Sequence, residues 1–318
     1  MTESQARARR VVNFSTAALP PAHRIALWEE HNRHALIGLR CRTLSEAPFD
    51  GIEQNLQLDR MHLARVRGTS HVVERPAEVI RRSPADSIAV YLTVVGEAFF
   101  YHDDGVLTLR PGQALICDAD RPFMRGFSRG LEEFAIKVPR ETFREVTGLD
   151  SLRAPLVRDV AQGDVAARTF ARLVERALRP DGVKPVDETT VLHLLASMAG
   201  SSTADPRTVH LANARTFIED HLTDARLSAS RVAAGIGISE RHLSRAFAAA
   251  ETSLPQFVLG RRLERARALL TSHPQTTIAD VAARCGFGSA TYFSQAFRAY
   301  YGVRAADVRR SGLDGRIA

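Results

Sequence analysis

The sequence predicts an α+β protein of two domains: a strand-rich front half closed by a helical hairpin, then an all-α rear module. Three observations carry that prediction. One short helical text occurs twice, as "VAAGIGISERHLSRAF" from Val232 and "VAARCGFGSATYFSQAF" from Val281. The stretch "SIAVYLTVV", residues 87–95, has the two-residue period of a strand. Positive charge also gathers at one end. Residues 210–318 hold 15 arginines, no lysine and 9 acids, whereas residues 1–209 hold 28 basic and 27 acidic groups.

Length and composition narrow the class. At 318 residues the chain is about twice a typical domain, and 45% hydrophobic with 25% charged residues is the balance of a soluble globular protein. No stretch approaches the roughly 20 apolar residues of a membrane helix. "MTESQARARR" is followed by no apolar run, so no secretory leader is expected. Cys41, Cys117 and Cys285 form no CxxC pair and are odd in number, which suits a reducing cytoplasm and argues against a zinc finger or disulfide framework.

In chain order, "HRIALWEEHNRHAL" spaces Ile25, Trp28 and Leu36 as a helix does. "NLQLDRMHLARV" then alternates Leu56 and Leu58, Met61 and Leu63. Ile88, Val90, Leu92 and Val94 share one strand face, and Ala89, Tyr91, Thr93 and Val95 the other. "HDDG" at 102–105 and "RPG" at 110–112 are turns, and "ALICD" and "LEEFAIKV" are further short strands. Short strands with close-set turns favour a small barrel or sandwich. After Pro139 the text reads as helical. "VAARTFARLVERAL" stripes Phe170, Leu173, Val174 and Ala177, and "ETTVLHLLASMAG" stripes Val191, Leu194, Leu195 and Met198, with "RPDGVKP" as the turn between. The expected organisation is therefore a front domain at 1–200 containing a hairpin at 165–200, a linker at 201–208 and a rear domain at 209–318.

The two copies align at an offset of 49 through Gly237 and Gly286, and of 50 from Ser239 and Ser289 onward, which places one extra residue near Gly288. Each copy reads as a short helix, a tight glycine turn and a longer helix capped by serine. In the first, Leu243, Ala246, Phe247 and Ala250 take core spacing while Arg241 and Arg245 share an outward face. In the second, Phe293, Ala296, Phe297 and Tyr300 are expected inside, with Thr291 and Gln295 outside. Arginine can bond guanine O6 and N7, and glutamine adenine N6 and N7. Between the copies "PQFVLGRRLERARALL" is one helix, long enough to space two recognition helices along one face of a duplex.

"RLSASRVAAGIGISERHLSRAF", "RRLERARALL" and "TIADVAARCGFGSATYFSQAFRAYYG" resemble the double helix-turn-helix domain of the AraC/XylS family of bacterial transcription regulators, over about residues 210–310. The resemblance implies base reading by Arg241, Arg245, Thr291 and Gln295, and phosphate contact by Ser239, Ser289 and Arg298. Several positions depart from the family pattern: Arg231 replaces an acidic residue, Glu251 replaces a glycine, Gly260 interrupts the connecting helix, and the closing "GxSP" is Gly302-Val303-Arg304-Ala305. "GEAFFYHDDGVLTLRPGQALICDADRPF" resembles the cupin-like β-barrel effector domain found at the front of many members. His62, Arg65, Tyr91 and Thr93 are candidates to line its effector pocket.

These features predict a cytoplasmic regulator of double-stranded DNA that activates a catabolic operon in response to a small-molecule effector. Homodimerisation through the hairpin, whose apolar stripes need cover, and contact with RNA polymerase are further expectations. No catalytic group, metal or cofactor is called for. A metal-dependent cupin enzyme needs a histidine cluster, and the sequence offers His102 alone beside Asp118 and Asp120, which read as turn formers. A DNA alkyltransferase needs a reactive thiolate, and Cys285 reads as a small core residue.

Overall fold

The structure is a computed structural model that describes residues 11–160, 164–179 and 186–314. Contacts divide the chain between Asp205 and Pro206 into two compact units.

The front unit runs through β1 (Val12–Ser15), α1 (Arg24–Ala35), β2 (Arg40–Thr43), β3 (Gly51–Gln57), β4 (His62–Gly68), β5 (His71–Arg75), α2 (Ala77–Arg82) and β6 (Ser87–Val95). It continues with β7 (Ala98–His102), β8 (Gly105–Leu109), β9 (Gln113–Asp118), β10 (Phe123–Phe127), β11 (Leu131–Pro139), α3 (Arg140–Thr147), β12 (Leu156–Asp159), α4 (Val165–Ala177) and α5 (Glu188–Met198). The strands form two antiparallel sheets, ordered β1-β3-β4-β11-β6-β9-β12 and β2-β5-β10-β7-β8. Their facing surfaces enclose one core, which includes Trp28, Ala64, Val66, Ala89, Tyr91, Phe100, Leu115, Phe127 and Ala135. The architecture is the β-rich front and helical rear that the sequence predicts.

Register explains how the centre is built. β6 pairs with both β11 and β9, and its first seven residues, Ser87–Thr93, are all buried. A strand covered on both faces selects β-branched and aromatic residues at every position, as "SIAVYLT" supplies. The β7–β8 hairpin turns through Asp103–Asp104, as "HDDG" requires.

Two differences from the sequence reading follow from packing. The text after Pro139 is not helical throughout, because β12 joins the sheet edge against β9, with Leu156 opposite Ile116. All four of its residues are half-buried, which leaves no two-residue period to read. The hairpin stripes, in turn, are covered within their own unit: Phe170, Val174, Val191, Leu194, Leu195 and Met198 are buried. They need no partner subunit, so the reason for assigning the dimer surface there disappears. The turn "RPDGVKP" falls mostly outside the described residues.

The rear unit comprises α6 (Pro206–Asp220), α7 (Ala229–Gly235), α8 (Glu240–Ala249), α9 (Leu254–Ser272), α10 (Ile278–Arg284), α11 (Ala290–Tyr301) and α12 (Ala305–Asp314). Since α6 starts at Pro206, the end of the expected 201–208 linker is helix. Proline costs nothing in the first turn, where the missing N–H has no partner in any case. Among the described residues no helix is long and apolar enough to cross a membrane.

Candidate functional site

The two helix-turn-helix copies are built by matching local chemistry. Gly237 and Gly286 end the short helices with φ of 73° and 79°. At Gly286 a Cβ would also stand 2.7 Å from the Leu222 carbonyl oxygen, so glycine is required twice over. Ser239 Oγ then accepts from the His242 amide and Ser289 Oγ from the Tyr292 amide, both at 3.3 Å, which caps α8 and α11.

Leu243, Ala246, Phe247, Phe293 and Phe297 anchor those helices in the core. Arg241, Arg245, Thr291, Gln295 and Arg298 are exposed, as their spacing predicts. Tyr300 is not inside: it is 54% exposed, and Tyr301 instead packs its ring 4.8 Å from that of Phe297, with Arg267 5.0 Å from the Tyr301 ring. The 3.6-residue repeat alone favours Tyr300; Tyr301 takes the inward place through its contacts with Phe297 and with Arg267 of α9.

Some described arginines of the rear unit are already engaged by acids, and others, Arg241, Arg245 and Arg298 among them, are not. Arg231 pairs with Asp224, Arg261 with Glu219 and Glu264, and Arg310 with Asp307. Among the described residues no carboxylate lies within 4 Å of Arg241, Arg245 or Arg298. Their planar donors are open to bases and phosphates.

The copies are joined by α9, whose 19 residues span about 28 Å at 1.5 Å each. Ser253 and Gln256 close a capping box at its start. Its Arg262 donates to the carbonyls of Leu222 at 3.0 Å and Asp224 at 2.7 Å, tying the helix to the first copy.

The departures from the family pattern have local outcomes. Ser228 still caps α7 by accepting from the Arg231 amide, while the Arg231 guanidinium turns to Asp224. Glu251 takes the left-handed conformation with φ of 54°, where the second copy has Gly302 at 73°. At Gly260 an added Cβ would meet nothing closer than Tyr300 Oη at 3.6 Å. Glu251→Gly and Gly260→Ala should each stabilise the rear unit by about 1 kcal/mol, the first by relieving a left-handed side chain and the second by helix propensity. Thermal melting of the full chain checks both.

In the front unit the four pocket candidates do not all meet. His62, Tyr91 and Thr93 lie on the inner faces of β4 and β6, since Lys137, Ala135 and Glu133 of β11 pair with them in one phase. Arg65 stands on the outer face, ion-paired to Glu132 at 2.5 Å. Only Tyr91 lines the inner cavity, which has a volume of about 40 Å³.

The cavity's polar groups were missed by the sequence reading: Asn32, His71, Arg125, Glu133 and Lys137. Arg125 and Glu133 form a buried two-bond ion pair at 2.9 and 2.6 Å, with the guanidinium 3.8 Å from the Tyr91 ring centre. The signal available was phase. Arg125 falls midway between Phe123 and Phe127, and Glu133 and Lys137 fall in step with Leu131 and Ala135, so charge occupies the apolar phase of both strands.

Burial pulls the pKa of both His62 and His71 down to about 4. The charges of Lys137 and His31 add to the effect at His62; at His71 that of Arg125 adds, against an opposing bond to the Thr69 carbonyl. Unfolding would let both rings take up a proton near pH 6.5. Their contribution is therefore complete above that pH and is lost as pH falls toward 4. Melting temperature should drop across that window, and His71→Gln should flatten the slope.

Asp118 and Asp120 do more than form a turn. Asp118 accepts two bonds from Arg140, at 2.9 and 2.7 Å, and Asp120 accepts from Arg75 and from the amides of Ala85 and Asp86. His102 is half-buried beside Asp104. Among the described residues no group of three or more His, Cys, Asp or Glu side chains could hold a metal. Burial pushes the Cys41 and Cys117 thiols up to about 12 and raises that of Cys285, so none is a poised thiolate.

Comparison with known proteins agrees with this geometry. Residues 28–202 match the AraC-binding-like domain family, and residues 232–311 match a helix-turn-helix domain family. The chain is 24% identical over 253 residues to the transcriptional activator NphR of Rhodococcus sp, covering 76% of this chain and 75% of that one. It is 34% identical over 101 residues to the transcriptional activator RhrA of Rhizobium meliloti (strain 1021), which covers 31% of this chain and 32% of the other. Among solved structures it superposes on the AraC-like transcriptional activator CuxR with a TM-score of 0.50 at 20% identity, over 81% of this chain and 96% of that chain.

Proposed function

The chain belongs to the AraC/XylS family of DNA-binding transcription regulators, and on that premise we propose that it is a sequence-specific, ligand-responsive activator of a catabolic operon rather than an enzyme. The observation that carries the DNA half is the pair of capped helices whose outward side chains, Arg241 and Arg245 on one and Thr291 and Gln295 on the other, are exposed. Arg241, Arg245, Thr291 and Gln295 read bases; Arg298 and the caps Ser239 and Ser289 meet phosphates. The observation behind ligand response is the inner cavity with its convergent polar groups. Effector binding shifts an equilibrium that changes promoter occupancy or polymerase contact in the cytoplasm.

The test is salt-dependent binding to DNA upstream of the protein's own gene and its neighbours, against scrambled DNA. The proposal expects two protected major-groove segments per chain and a preference that survives physiological salt. Equal binding to both DNAs, vanishing together as salt rises, would overturn the sequence-specific reading for those promoters.

A further inference from the structure

We propose that the effector of the inner cavity is a small monocarboxylate with an apolar body, and that its carboxylate is held by the Lys137 ammonium in place of the Leu36 carbonyl. The inference rests on the ligand-responsive reading and names the chemistry of that site.

Charge counting leads to it. Arg125 is neutralised by Glu133, and Arg75, which reaches the same region, by Asp120 at 2.8 Å. His62 and His71 are neutral near pH 7, as described above. Glu53 is buried beneath α1 with His31 Nε2 at 3.3 Å and does not line the cavity. Lys137 is left: among the described residues no carboxylate lies within 4 Å of its nitrogen, and its one hydrogen bond is to the Leu36 carbonyl at 2.7 Å. The cavity wall therefore carries one uncompensated positive charge. A half-buried cation whose protein partner is a peptide oxygen gains from an anion, because part of its desolvation has already been met.

The other walls define the remainder of the ligand. Trp28, Leu36, Ile37, Val66, Val73 and Phe127 are apolar. Arg125 Nε is buried with no hydrogen-bond partner, so a polar atom inside the cavity has a second place to bond. At about 40 Å³ the space holds only two or three waters. A ligand must push a wall aside, and the wall formed by Leu36, Ile37 and Leu39 belongs to the segment after α1 that Lys137 holds. Arg75 grips the same segment at the Gly38 carbonyl, and Glu29 grips it at the Cys41 amide. Capture of Lys137 by a carboxylate removes one of these three ties, which couples occupancy to the position of residues 36–39.

Trp28 is the sole tryptophan and lines the cavity, so its emission reports on the site without DNA. The full chain is titrated with cyclohexanecarboxylate, cyclohexanecarboxamide and cyclohexanecarboxamidine, three probes of one shape and different charge that do not absorb with the indole. The expected result is saturable binding of the carboxylate at least about tenfold tighter than the amide. Lys137→Met should bring those two within about twofold while melting is retained; Lys137→Gln serves if the Met variant does not fold. Tighter binding of the amidine, a carboxylate preference that survives both substitutions, or no saturable response to any probe overturns the inference. DNA affinity is then measured with and without carboxylate. A Lys137-dependent preference that leaves DNA affinity unchanged upholds the site and sinks ligand responsiveness. DNA binding that responds to another small molecule independently of Lys137 does the reverse.

Discussion

Glu133→Ala is expected to cost the front unit about 3–5 kcal/mol, the loss found when one member of a buried ion pair is removed. Arg125 and Glu133 are both almost completely buried, at 2% and 6% side-chain exposure, and meet through two parallel bonds. Without the carboxylate, a guanidinium stays among Tyr91, Phe127 and the apolar cavity wall. The rings at 3.8 and 4.9 Å offset a minor part of that cost. Urea denaturation followed by Trp28 emission measures it. The double variant Arg125→Met, Glu133→Leu should recover most of the loss, since replacing both partners by apolar groups removes the unpaired charge. If Glu133→Ala cost less than about 1 kcal/mol, the pair would have to be open to water.

The second large effect falls on DNA. Arg241→Ala and Arg245→Ala should each weaken binding to the cognate site by about 1–3 kcal/mol and relax specificity at one base pair, with the losses roughly additive in the double variant. Both side chains are exposed, so folding is unaffected, and a thermal melt controls for that. A substitution that weakens binding equally on all sequences and lowers the salt slope by about one would reassign that arginine to phosphate. Thr291→Ala and Gln295→Ala should relax a different segment of the site.

How much of this was legible depended on how many faces of an element are buried. α8 and α11 each keep one face in water, so the 3.6-residue period marked Leu243, Phe247, Phe293 and Phe297 against Arg241, Arg245, Thr291 and Gln295. Tyr300 and Tyr301 exchange places at the end of a helix, where contact with α9 rather than the period selects the inward side chain. β6 is covered on both sides, and its pattern told strand from helix but not lumen from exterior. β4 is likewise mostly buried, so its sequence does not separate Arg65 on the outer face from the inner-face residues. The Arg125–Glu133 pair joins strands of two different sheets, and its meeting depends on how those sheets face each other across the core, which no local pattern records. Lys137 was hidden for the same reason: its significance is the missing acid, which is a property of the assembled interior.

Under the proposed DNA reading, α9 joins two readers that are not alike, one presenting two arginines and the other a threonine and a glutamine. A dimeric repressor built from identical subunits reads a palindrome and is indifferent to which way the duplex runs. A single chain with unlike ends has a head and a tail, and its target is a directed word. Reversing that word in a promoter would turn the bound protein end for end and present the opposite surface to the transcription start. Orientation of the site is thus a variable the promoter can set independently of affinity.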